Sequence, residues 1–80
     1  MDPVFIAQAI FDKCVGVTMP NRHDELRQAF SDAGITLGAD GKTVDAVDPN
    51  VSLDDLSTKL KSSMPTASMT AKRVLTDHSQ

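Results

Sequence analysis

The stretch from Pro3 to Val17, PVFIAQAIFDKCVGV, leaves only Gln8, Asp12 and Lys13 as a polar stripe in an otherwise apolar run. Asp2 is placed to cap a helix, its carboxylate accepting from unpaired backbone N–H groups. Pro3 suits the first helical position, where its missing donor costs nothing. Gly16 fits the left-handed residue that ends many helices. The spacing therefore predicts a helix from Pro3 to Val15. On a period of 3.6 its apolar residues cover most of the circumference, whereas a surface helix needs a stripe of only about 100°. This helix must be covered on several sides. It is too short and too charged for a membrane span. Met1-Asp2 lacks the basic start of a secretory leader. A cytoplasmic core helix is the expectation.

Whatever covers the first helix must come from the rest of an 80-residue chain, and a domain of this size has a thin stability margin. Leu26, Ala29, Phe30 and Ala33 fall at i, i+3, i+4 and i+7 and predict a one-faced second helix, Arg22 to Ala33. Asn21 would cap it and Gly34 would follow it. Ile35-Thr36-Leu37 and Thr43 to Val47 alternate around Asp40-Gly41, the pattern of a short hairpin over 35–47. Ser52 with Asp55 reads as a capping box for a third helix, with Val51 and Leu56 as its staple. Leu53, Leu56, Leu60 and Met64 then form a narrow seam, and Pro65 ends the helix.

From Ser57 onward nine of 24 residues carry hydroxyls, a composition that favours loose structure. Ala67, Ala71, Val74 and Leu75 nevertheless keep helical spacing, so a short fourth helix from Ser68 to Thr76 is the alternative to disorder. The predicted fold is α+β and mainly helical, in the order α-α-β-β-α. Residues 1–65 form a compact domain, and 66–80 a basic, Ser/Thr-rich segment. The second helix, the narrow third seam and the hairpin offer little to enclose the first helix. Phe5, Ile6, Ile10 and Phe11 are therefore expected in the interface of a homodimer, the commonest closed assembly.

Few chemistries fit the residues. One cysteine, Cys14, permits no internal disulfide, and it lies on an apolar face with Lys13 as its sole cationic neighbour. His23 and His78 stand far apart without partners at ligand spacing. The acids at Asp40, Asp45, Asp48, Asp54 and Asp55 fail as a calcium loop. Counted from Asp40, Asp45 occupies the sixth position that Gly should hold; counted from Asp45, Asn50 does, and Leu56 stands at the twelfth. No glycine-rich phosphate loop or nucleophile elbow is present. No catalytic residue, metal or cofactor is predicted.

Charge is split along the chain. Residues up to Asp55 carry ten acids and four bases, whereas Leu56 to Thr76 carry Lys59, Lys61, Lys72 and Arg73 and no acid. Those four cations are the predicted contact to a larger protein, in a non-enzymatic regulator, adaptor or inhibitor that occupies a partner's surface. Two other readings stand beside it. A nucleic-acid-binding regulator would use Arg22, Arg27 and the basic segment, as a helix followed by a wing, although acids flank both arginines and no Trp or Tyr is present to stack on bases. A structural subunit of a viral or other assembly would polymerise as concentration rises.

Overall fold

The computed structural model describes residues 2–78. It comprises α1 (Pro3–Val17), a 3-10 turn (Pro20–Arg22), α2 (His23–Asp32), β1 (Ile35–Leu37), β2 (Val44–Val47), α3 (Leu53–Lys61) and α4 (Pro65–His78). The α+β order predicted from the sequence is the order observed, with the fourth helix present.

Asp2 caps α1 as expected, its Oδ1 accepting from Val4 N at 2.9 Å. Gly16 does not end the helix. α1 continues to Val17 and closes at an extended Thr18, whose N–H donates to Val15 O. The left-handed glycine expected after α2 is found at Gly34, φ 91°. There the side chain of Val51 fills the space a Cβ would need. Asn21 is taken up by the 3-10 turn, so α2 begins at His23 without a side-chain cap.

β1 and β2 pair antiparallel, Ile35 opposite Val47 and Leu37 opposite Val44, with a bulge between Thr36 and Leu37. The connection is not a two-residue turn. Gly41 alone takes a positive φ there, 67°, and Asp40 organises a longer loop. Its carboxylate accepts from the N–H groups of Lys42 and Thr43 and from Thr43 Oγ1, all within 3.0 Å. The bond from Lys42 N–H, then those from Thr43 and the Lys42 charge, hold the Asp40 carboxyl below its ordinary pKa. Gln8, one of the three residues of the polar stripe of α1, ties the hairpin down. Its Oε1 accepts from Val44 N at 2.6 Å and its Nε2 donates to Lys42 O at 3.0 Å. The carboxamide thus stands in for a neighbouring strand along the outer edge of β2, where backbone groups would otherwise lack partners.

Ser52 caps α3, but its Oγ accepts from Asp54 N rather than from Asp55 N as a capping box would have it. Asp55 N donates to the Ser52 carbonyl. α3 ends at Lys61, so Met64 falls in the following turn, still buried. Pro65 is the first residue of α4, which runs to His78 rather than over Ser68 to Thr76 alone. Of residues 66–80, Ser79 and Gln80 lie outside the described residues.

α4 supplies the cover that α1 needed. The two helices run antiparallel. Cys14 Sγ–H donates to Ala67 O at 3.5 Å near one end, and the rings of Phe5 and His78 meet edge-on at 6.0 Å near the other. Ala67, Ser68, Ala71 and Val74 are buried along α4. α1 also packs against the hairpin and α2, where Phe11 meets Phe30 edge-to-face at 5.0 Å. The expected interface set is thereby corrected. Ile10 and Phe11 are 0% and 2% exposed and belong to the core, because α4 and the hairpin enclose them within one chain. Ile6 is half-buried against that core, and only Phe5 stays on the surface, 63% exposed.

Candidate functional site

The four predicted contact cations do not form one patch. Lys59 borders a hollow with Glu25, Gln28 and Asp32 of α2. Lys61, two positions on, lies about 200° further round α3. Lys72 faces Asp54 and Thr58 across a groove between α3 and α4, and with Arg73 it flanks Met69 and Asp77 on the outer side of α4. The basic segment reads as a block in sequence because its acidic neighbours in space, on α2 and the first turn of α3, come from earlier in the chain. Lys72 and Arg73 are brought together; Lys59 and Lys61 are not.

Arg22 and Arg27 are both engaged by acids of α2. Arg22 makes a two-pronged pair with Glu25, both contacts at 3.1 Å, and its Nη2 also donates to Ser63 O at 2.7 Å. Arg27 pairs with Asp24. Each guanidinium already has one carboxylate partner, which weakens the case for a run of phosphate contacts.

The titratable residues stay dispersed as well. Burial pushes the Cys14 thiol up to about 12, so it remains protonated and is no thiolate nucleophile. His23 Nε2 donates to Thr18 O at 2.9 Å, and His78 sits against Phe5. Among the described residues, no three His, Cys, Asp or Glu converge as metal ligands would, and no helix is long and apolar enough to cross a membrane.

What the fold does assemble is an end where two exposed apolar side chains stand over a hollow of mixed polar and apolar lining. Val17 and Met19, 47% and 67% exposed, border this hollow of about 220 Å³ with Met64, Pro65 and Ala67. Thr18, Thr66 and the paired Arg22 complete its rim. The C-terminus of α1, its connector and the α3–α4 turn meet here, and the Arg22–Ser63 bond holds the last of these against the start of α2. The sequence reading passed over this site, although a signal exists. Met19-Pro20 and Met64-Pro65 are both Met-Pro dipeptides at helix starts. A proline after the methionine disfavours helical dihedrals, so each sulfur-bearing side chain is set where the chain changes direction. No family model, curated protein or solved structure matches this chain.

Proposed function

We propose that the protein is a small non-enzymatic regulator that occupies a surface of a larger protein, docking through the end around Val17 and Met19. One observation carries the reading: two large, exposed apolar side chains flank a hollow whose further walls are Met64 and Pro65. Large apolar side chains left exposed side by side favour association, and unbranched methionines adapt to varied partners. The burial of Cys14 and the separation of the two histidines favour binding over catalysis. Lys72 and Arg73, on the outer side of α4, are the cations placed to add electrostatic steering.

The test is photo-crosslinking in the source cell with a benzophenone residue at position 19. The reading expects one discrete protein adduct, lost in the Val17→Asp, Met19→Asp double variant and kept in a Met69→Asp control. An adduct indifferent to both aspartates, or one that disappears on nuclease treatment, would overturn it. The nuclease-sensitive result would instead favour nucleic-acid binding.

A further inference from the structure

A second hollow, about 200 Å³, opens between α1, α2 and the hairpin loop and is lined by none of the residues around Val17 and Met19. Its floor is the edge of Phe11 and the half-buried Val15, and Gly41 forms one wall. Its rim is polar: Asp12 from α1, His23 and Arg27 from α2, Lys42 from the hairpin loop. The acidic part of the chain, up to Asp55, has only four Lys or Arg, and two of them converge here with a histidine.

Three of the four polar rim groups, Asp12, His23 and Arg27, are tied by hydrogen bonds or an ion pair. Asp24 engages Nη2 of Arg27, leaving the other guanidinium N–H groups, and the stem of Arg27 crosses Gly41. A Cβ on Gly41 would come within 3.1 Å of Arg27 Cδ, and φ of 67° disfavours any side chain there. Lys42 makes no ion pair among the described residues, although its charge helps keep the exposed Asp40 ionised. Thr18 O fixes the His23 ring through Nε2 and leaves Nδ1 as its remaining polar atom. The one acid on the rim, Asp12, already accepts from Gln8 Nε2.

We propose that this hollow binds a small carboxylate with a compact apolar body. The carboxylate lies between the open N–H groups of Arg27 and the ammonium of Lys42, and the body rests on Phe11 and Val15. Apolar linings with a few placed polar groups are the usual make-up of small-ligand sites. The volume limits the body to a short branched chain or one ring, since a cavity of about 150 Å³ already holds benzene. Charge-assisted bonds to a carboxylate fix the orientation. The chemistry is the same for a free acid and for the last residue of a peptide ending in leucine.

NMR titration of the intact chain tests this with isocaproate, the neutral isocaproamide, and N-acetyl-Ala-Leu bearing a free carboxylate. The expected result is saturable shifts at Phe11, Val15, Arg27 and Lys42 with isocaproate, and affinity for the amide lower by about tenfold or more. Lys42→Gln and Arg27→Gln should each weaken isocaproate to a similar degree; Lys59→Gln should not. Tighter binding of the dipeptide than of isocaproate assigns the site to a peptide terminus, and the reverse to a free acid. Equal binding of acid and amide, shifts centred on other residues, or no saturation with either carboxylate would overturn the proposal.

Discussion

α1 and α4 lie side by side in opposite directions, and their sequences have little in common. α1 is built of Phe, Ile, Val and Ala, while α4 mixes Thr, Ser and charged residues with two alanines, Met69, Val74 and Leu75. Yet each buries four residues: Ala7, Ile10, Phe11 and Cys14 on one, Ala67, Ser68, Ala71 and Val74 on the other. The two are complementary. Small residues on α4 let the backbones approach, so that Cys14 reaches the Ala67 carbonyl, and large residues on α1 fill the space toward α2 and the hairpin. Interaxial distance depends on the side chains at the contact. Three of the hydroxyls that make α4 look unstructured, on Ser68, Thr70 and Thr76, bond within α4 or to α3. Ser68 Oγ–H donates to Ser57 O at 2.6 Å, and Thr70 Oγ1–H to Thr66 O at 2.9 Å. Burial here follows helical spacing and the neighbour's shape, and composition is a poor guide to it.

The largest effect comes from removing α4 altogether. A chain ending at residue 65 exposes Ala7, Ile10 and Cys14 on α1 and the inner face of α3, and a domain this small has little stability in reserve. It should show the narrow amide dispersion of an unfolded chain in a two-dimensional NMR spectrum. A well-dispersed, cooperatively melting 1–65 fragment would break the comparison, because α1 would then not depend on its polar neighbour. Next in size is Phe11→Ala, expected to cost about 3–5 kcal/mol, since the ring is buried and packs edge-on against Phe30. Urea unfolding monitored by far-UV circular dichroism measures it.

On α4 the sensitive change runs the other way. Ala71 is fully buried against its neighbours, so Ala71→Leu adds volume where the helices close up. Overpacking of this kind costs about 1–3 kcal/mol, and the same urea midpoints report it. Were Ala71→Leu neutral or stabilising, the seam between α1 and α4 would be looser than the Cys14–Ala67 contact implies.

Much of this fold is legible from the sequence because its local signals agree with its packing. Asp2-Pro3, Ser52 and the Leu26–Ala33 stripe each place an element where it is found. Failures cluster where one signal has two physical outcomes. Gly16 can end a helix or ride within one, and nothing nearby forces a left-handed turn there, whereas Val51 crowds Gly34. Asp40-Gly41 reads as a tight turn, but the Asp40 carboxylate captures three donors and holds a longer loop. Pro65 opens α4, α3 having already ended at Lys61, but it reads as a helix stop when the next segment is rich in hydroxyls. The docking end escapes notice because Val17, Met19 and Met64 are scattered through the chain and converge only once α4 folds back along α1.

The smallest effect belongs to Phe5, and it separates the two halves of the α1 surface. The sequence places Phe5 with Ile10 and Phe11 in one apolar set, but those two are enclosed while Phe5 stands in solvent beside His78. Its edge contact with an imidazole on a terminal turn gives up little area. Exposed substitutions outside caps and core usually change stability by no more than about 0.5 kcal/mol. Phe5→Ala should therefore fall in that range, against several times as much for Phe11→Ala six positions along the same helix. Light scattering after size exclusion completes the contrast. With Ile10 and Phe11 covered inside one chain, the protein should elute with a mass near 8.6 kDa at micromolar concentration, and Phe5→Ala should leave that mass unchanged. A mass near twice this value that returns to 8.6 kDa on Phe5→Ala would give the exposed end of α1 the pairing role its buried middle cannot have.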